Sequence, residues 1–448
     1  MKTKISLFLI VFLWLPSVQA YPWMFFRESG FSTVQLDTHS SYFLNGKITI
    51  FSGFQLEYHN PKIDLNIGYN YSFLEERHYS RISELSVIFP IPFDNWTMSL
   101  GIKDVLWSEA DRYWNHGLWQ ARYLLDPLRP KQLGIPGIYF EHETDTSNFL
   151  ISFSYFYIPD IIIFPKFKDN KIVSKNPFFI NTYNKFNWKV DEFMPFEIKE
   201  FFKPSLAFRF QHFVNNYSIN FSYAYKPINQ FQKVVKIEGL DLSTSSKSSF
   251  NITNFRYFVL SHHLASLESE TALSKRFSLF TSLFWEQPEQ RRNKVNWLSD
   301  DFLSHLTYSL MVYFKEKWEK DKKTLFTLGW TKTVEKTSDL ASNPVIIDFR
   351  DVFKRNFNWK SAVSASIEHE DKTMPVSFLS RFRVNYALDN QFYQFILENY
   401  LYLSSHLRIY VSGDLFFRFS KESIPANSSS IKQYDGLSRI LFGGQYVF

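Results

Sequence analysis

The chain has 448 residues, with 50 lysines and arginines against 44 aspartates and glutamates, and no cysteine. The missing thiols exclude a disulfide framework, a cysteine nucleophile and a thiolate metal site, and a formal net charge of +6 without clustered basic runs argues against a nucleic-acid binder. The chain is 19% aromatic, with 50 Phe and 25 Tyr, yet its mean hydropathy is only -0.23; so many rings need a very large core or a surface that does not face water.

At the start, Lys2 and Lys4 precede an apolar run from Ile5 to Leu15, followed by Ser17-Val18-Gln19-Ala20. This is the layout of an export signal cleaved after Ala20, so the expected organisation is a signal peptide at 1–20 and a single domain at 21–448. The apolar run is shorter than the roughly 18 residues a spanning helix needs, and no later stretch reaches that length. If the mature chain lives in a membrane it must do so as a closed barrel, because open sheet edges go unsatisfied in hydrocarbon.

Period-two segments then recur along the whole chain. From Lys62 to Phe73 the odd positions are Ile63, Leu65, Ile67, Tyr69, Tyr71 and Phe73, while the even ones are Lys62, Asp64, Asn66, Gly68, Asn70 and Ser72; a helix does not sort residues in this way. The same alternation runs through Tyr217 to Tyr225, Phe378 to Tyr386 and Leu407 to Phe419. Strands are expected near 30–38, 46–58, 61–73, 80–89, 95–107, 137–143, 147–158, 204–213, 216–226, 252–273, 276–286, 303–314, 323–331, 359–369, 376–387, 391–403, 406–419 and 436–448. Segment 252–273 is ambiguous. Phe255, Tyr257 and Val259 alternate well, but Ser261-His262-His263 with Glu268 and Glu270 leaves room for a further turn, so the count is about 18 with 16 as the other reading.

Long connections at 108–136, 159–203, 227–251, 287–302, 332–358 and 420–435 all fall on one side of this meander. The other side receives brief turns such as His59-Asn60-Pro61, Thr144-Asp145-Thr146 and Asn215-Asn216, made of the residue types that tight turns favour. A large soluble sandwich or propeller also alternates, but it explains neither an aromatic terminus nor a run of about 18 such segments without an obvious blade repeat.

That end alternates Ile440, Phe442, Gly444, Tyr446 and Phe448 on one face with Arg439, Gly443 and Gln445 on the other. Tyr446 and the terminal Phe448 resemble the C-terminal signal with which Gram-negative bacteria hand β-barrels to their outer-membrane assembly machinery. The resemblance implies an all-β transmembrane antiparallel barrel, integral to the outer membrane after Sec-type export, with outer-membrane lipid and the barrel assembly machinery as partners.

Parity places Arg209, Arg256, Arg381, Arg383, Arg408, Arg418 and Arg439 opposite the aromatic face. A cation on the lipid face would cost roughly 2–4 kcal/mol at the midplane, so these side chains are expected to line the interior. They outnumber the inward carboxylates Glu57, Asp64, Glu398 and Asp414, and a stripe of forked, permanently charged donors would concentrate small anions. Connection 108–136 carries Trp114, Trp119, Tyr123, Leu124 and Leu125, which are costly to leave in water. It is expected to fold into the lumen or to form a lid. Porins resemble the first arrangement, and by that likeness Glu109, Asp111 and Asp126 would face the arginines.

His116, His142, His212, His262 and His263 stand in no nucleophile motif, and His262 and His263 must point to opposite faces of a strand. Glu141-His142-Glu143 reads as a charged strand end, and no metal site or cofactor is expected. The expected function is passive diffusion of small hydrophilic solutes, with a bias toward anions. The rival readings are a non-conducting barrel acting as a surface scaffold or adhesin, and an outer-membrane hydrolase with a rim active site. Assembly into an oligomer is left open, because no interface is legible.

Overall fold

A computed structural model describes residues 31–43, 48–60, 62–73, 76–92, 95–124, 126–161, 166–168, 171–173, 192–193, 198–230, 232–241, 249–289, 297–299, 303–319, 322–335, 359–372, 376–389, 391–404, 406–418 and 437–447. The expected signal peptide and Phe448 lie outside the described residues. Eighteen strands form one antiparallel sheet: β1 (Phe31–Phe43), β2 (Ile48–Asn60), β3 (Ile63–Ser72), β4 (Arg77–Pro90), β5 (Trp96–Lys103), β6 (Ile135–Glu143), β7 (Ser147–Ser154), β8 (Ser205–Val214), β9 (Tyr217–Pro227), β10 (Ser261–Ala272), β11 (Phe277–Pro288), β12 (His305–Glu319), β13 (Lys322–Glu335), β14 (Ser361–Asp371), β15 (Ser377–Ala387), β16 (Phe392–Tyr402), β17 (Leu407–Arg418) and β18 (Arg439–Val447). Strand β1 pairs with β2 on one side and with β18 on the other, from Gln35 opposite Val447 to Phe43 opposite Arg439. The sheet is therefore a closed cylinder, and its backbone donors and acceptors are satisfied strand to strand all the way round.

The side chains sort by parity. Phe54, Leu328 and Phe442 on the outer face are 43%, 63% and 51% exposed, while Ser99, Ser222, Thr331 and Ser412 on the inner face are almost fully buried. This is the reverse of a water-soluble protein, and the apolar outer belt is a surface for lipid. A bulge in β4 interrupts the pattern, and a second register shift falls between Lys317 and Glu319 at the end of β12. The β3–β4 register shifts between Asn66 and Ile67, which lets Ile82 and Leu85 both face outward despite their odd spacing.

The barrel has 18 strands, so the 16-stranded reading falls away. Segment 252–273 divides: the barrel strand begins only at Ser261, and Ser249–Phe258 pairs instead with Gln232–Asp241 in a separate four-stranded sheet that includes Glu192–Phe193 and Trp297–Ser299. The Ile228 N–H donates to the Leu260 carbonyl (2.8 Å) at the end of the β9–β10 pair. Alternation alone does not separate a wall strand from a loop hairpin, since both are pleated with the same period. The connections 104–134, 155–204, 228–260, 289–304, 336–360 and 419–438 leave one rim, and the opposite rim has brief turns such as 144–146 and 215–216, where Asn215 takes the left-handed conformation (φ 48°).

Leu328 tests the lipid belt. Leu328→Lys is expected to lower the free energy of refolding into bilayers by about 2–4 kcal/mol and Leu328→Phe by much less, measured by denaturant titration in lipid vesicles.

Candidate functional site

The β5–β6 connection does not stay at the rim. It enters the lumen at Asp104, forms the short helix α1 (Glu109–Trp114) and returns to the wall at Ile135. Ser108 starts the helix: its hydroxyl oxygen accepts from the Asp111 N–H (3.0 Å), and Asn115 ends it in the left-handed conformation. The rings that the sequence could not afford to expose are what the lumen buries. Trp107, Trp114, Leu118 and Trp119 are at most 2% exposed, with the Trp107 and Trp119 rings stacked at 5.4 Å.

A segment inside a tube must find partners for its backbone. Leu106 O accepts from Arg209 Nη1 (2.7 Å), and Trp107 O accepts from Asn220 Nδ2 (3.1 Å) and Ser222 Oγ (3.0 Å). At the helix start, where amides have no intrahelical acceptor, the wall supplies Glu268 from β10: its carboxylate accepts from the Glu109 and Ala110 N–H groups (3.1 and 3.2 Å), from Asn220 Nδ2 (3.1 Å) and from the Ser108 hydroxyl. At the far end of α1, Trp114 presses on β13. A Cβ at Gly329 would stand 3.2 Å from Trp114 Cζ2 and 3.3 Å from Tyr113 Cε1, so glycine is the notch that lets the helix approach. Tyr113 donates to Ser364 Oγ (3.0 Å), and Arg383 lies over its ring at 4.0 Å while donating to its carbonyl (3.2 Å).

The returning limb is held by charge. Asp126 accepts two hydrogen bonds from Arg439 Nη2 (2.7 and 3.0 Å), Arg439 Nε donates to Asp414 (2.8 Å), and Arg129 meets Asp414 (3.4 Å), Glu398 (3.1 Å) and Ser412 Oγ (2.7 Å). Burial works against the Arg129 cation, but Asp414, Glu398 and Asp126 outweigh it and hold its pKa above the ordinary arginine value. The loop is also tied to its neighbours outside the wall: Arg122 pairs with Asp160 (3.1 Å), and Asn229 Nδ2 donates to Gly117 O and Leu118 O (2.8 and 3.2 Å).

Of the three acidic loop residues expected to face arginines, Asp126 lies against Arg439. Asp111 instead turns back on its own loop, accepting from the Leu118 and Trp119 N–H groups (3.0 and 3.3 Å) at 2% exposure. Glu109 points into the lumen, where desolvation raises its pKa, the nearby Arg112 opposes the rise and Glu270 adds to it.

The arginines are similarly divided. Arg381 bridges Glu368 (2.7 Å) and Glu398 (3.0 Å), Arg383 is committed to Tyr113, Ser364 and Asn385, and Arg209 is spent on Leu106 O and Asn148. Arg408 lies between the rings of Tyr400 and Tyr402, and Arg418 stands farther along the same strand, on the same face. Arg256 is in Ser249–Phe258, off the barrel wall.

Glu268, Gly329 and Arg129 were not singled out from the sequence for these contacts. An inward carboxylate at mid-strand was the available signal for Glu268; nothing local marks the other two. His262 and His263 do take opposite faces. His262 is buried against Glu286, which also meets His305 (3.1 Å), whereas the His263 ring lies tilted against Tyr225 at 5.0 Å. Among the described residues no group of three or more His, Cys, Asp or Glu side chains is arranged to hold a metal ion.

No protein-family model matches the chain, and no curated protein does. Among solved structures the chain is similar to Acinetobacter baumannii OccAB3 (10% identity, TM-score 0.45, 94% of this chain and 98% of that one). It is similar also to Pseudomonas aeruginosa OccK5 (9%, 0.47, 94% and 99%) and to the Pseudomonas aeruginosa outer membrane protein OpdK (8%, 0.44, 94% and 98%).

Removing the Glu268 carboxylate tests how the loop is held. Glu268→Ala leaves the Ser108 hydroxyl and two helix amides without their acceptor, at about 1–3 kcal/mol for each buried group. Limited proteolysis is expected to cut within 104–134 in this variant and not in the parent, with the barrel itself still resistant.

Proposed function

We propose that the protein is an integral outer-membrane channel, not an enzyme, through which small hydrophilic solutes diffuse passively past α1. One observation carries this reading. The Arg381 and Glu368 side chains point inward from β15 and β14 yet are 41% and 35% exposed, and charged groups half-exposed inside a closed tube require water in the lumen beside them. The lumen of an 18-stranded barrel is wide enough for that water even with one loop folded into it. The lipid-facing Tyr446, on the strand that closes against β1, supports taking Tyr446 and Phe448 as the assembly signal; residues 1–20 are proposed, on their sequence, as the export signal removed beforehand.

The proposed selectivity is weaker than a bare arginine stripe implies. Arg381 and Arg439 are each matched by carboxylates and do not present a free positive potential, while Arg209 and Arg383 have their N–H groups committed to holding the loop. Arg408 is left to bias the lumen toward anions, against Glu109 and Glu270.

Refolded protein in a planar bilayer is expected to give discrete conductance steps in potassium chloride; a silent membrane at protein levels that insert fully would overturn the channel reading. Glu109 adds a pH dependence. Because its pKa is raised above the ordinary 4.5, it takes up a proton earlier than other carboxylates as pH falls. The cation-to-anion permeability ratio is therefore expected to drop at pH values above the usual carboxylate range, and Glu109→Gln to remove that early part of the titration.

A further inference from the structure

Next to the latch formed by Arg129 and Asp414, on the side toward the short-turn rim, the wall carries a lane of half-exposed rings. Along β16 and β17 the cross-strand pairs run Glu398 opposite Ser412, Tyr400 opposite Tyr410 and Tyr402 opposite Arg408, with β15 placing Arg381 opposite Glu398. Tyr400 and Tyr410 have ring centroids 5.7 Å apart, and the Arg408 guanidinium lies 5.1 and 5.5 Å from the Tyr400 and Tyr402 centroids while donating to the Tyr402 hydroxyl (3.3 Å).

The neighbouring strand is shaped to this lane. A Cβ at Gly443 on β18 would fall 2.2 Å from Tyr410 Cζ, so the Tyr410 ring lies flat over the glycine backbone and not upright in the lumen. A ring lying flat on a wall turns one face to the wall and the other to whatever passes.

From this juxtaposition we infer that the lane of Tyr400, Tyr402 and Tyr410, edged by Arg381, Glu368 and Glu398, is a binding site for uncharged sugars. The inference rests on the channel reading and names its solute class. Two physical arguments carry it.

A pyranose ring has an apolar C–H face, which a flat aromatic face receives, and an equatorial belt of hydroxyls, which planar guanidinium donors and carboxylate acceptors can engage together. The lane supplies both within one stretch of wall.

The second argument is about charge. Both glutamates of the lane are engaged by Arg381, which bonds Glu368 (2.7 Å) and Glu398 (3.0 Å), while Arg408 is packed against the Tyr400 and Tyr402 rings. A carboxylate solute at Arg381 competes with those two glutamates for the same N–H groups, and an ammonium solute competes with Arg381 for the glutamates. A hydroxyl solute uses the remaining lone pairs and N–H groups without breaking either pair.

The test is current block in planar bilayers with maltose, compared with glucuronate and glucosamine, alongside calorimetric titration of maltose into the detergent-solubilised barrel. Maltose is expected to reduce the current in a saturable way and to bind by calorimetry, with both charged sugars weaker by about tenfold or more. Tyr410→Ala is expected to weaken maltose roughly tenfold, Tyr410→Phe to retain it, and Gly443→Ala to weaken it by displacing the ring. Discrete steps without maltose block or binding, or tighter block by glucuronate than by maltose, would overturn the sugar site while leaving the channel. A silent bilayer together with calorimetric maltose binding would instead sink the channel reading and keep the site.

Discussion

A peptide group in hydrocarbon has no water to bond, and the rest of this molecule follows from that constraint. It forces the backbone of β1 to β18 into one closed ladder, with β1 joined to β18 from Gln35 and Val447 onward. Closure then divides every strand into an outward set that meets lipid and an inward set that does not. The apolar belt of Phe54, Leu328 and Phe442 and the buried serines and threonines within are two consequences of the same geometry. The bulge in β4 obeys it too, since a one-residue register shift moves side chains to the other face unless the sequence shifts with it, as Ile82 and Leu85 do.

The same requirement reappears inside the tube. The loop holding α1 cannot leave its carbonyls and helix-start amides unpaired, and the wall provides Arg209, Asn220, Ser222 and Glu268 for them. Aromatic packing places the loop, with Trp114 seated at the Gly329 notch and Trp107 stacked on Trp119, while hydrogen bonds and ion pairs define its orientation. Arginines that look like a selectivity stripe in one dimension become structural in three, because Arg209, Arg383 and Arg439 are used to hold the inserted segment. On the proposed channel reading, the half-exposed inner surface around Arg381, Glu368 and Glu398 is mixed and paired, which suits solutes that exchange hydrogen bonds with it better than ions that must break its pairs.

Much of this was legible without coordinates. The alternation in Ile63 to Phe73 or Leu407 to Phe419 reports which side chains meet lipid, because the period of a strand is a local property. The fate of Trp114 and Trp119 was legible as well, since large rings in a polar connection must be buried somewhere. The division of 252–273 was not, because Phe255, Tyr257 and Val259 keep the same period in the four-stranded sheet as they would in the wall. Nor was the role of Asp111: its spacing from Leu118 and Trp119 matters only once the loop has turned back on itself.

By itself, then, the sequence determined the strand period, the count within narrow bounds, the lipid-facing parity, the side on which long connections gather and the need to bury the β5–β6 loop. Each of these depends on residues that are neighbours or near-neighbours in the chain. The tertiary structure decided who meets whom across the lumen: Asp126 with Arg439, Glu268 with the start of α1, Trp114 with Gly329, and Tyr410 lying flat on Gly443. Those partners are brought together only by closing the sheet and folding a loop into it, and no local period encodes which strand a segment will reach.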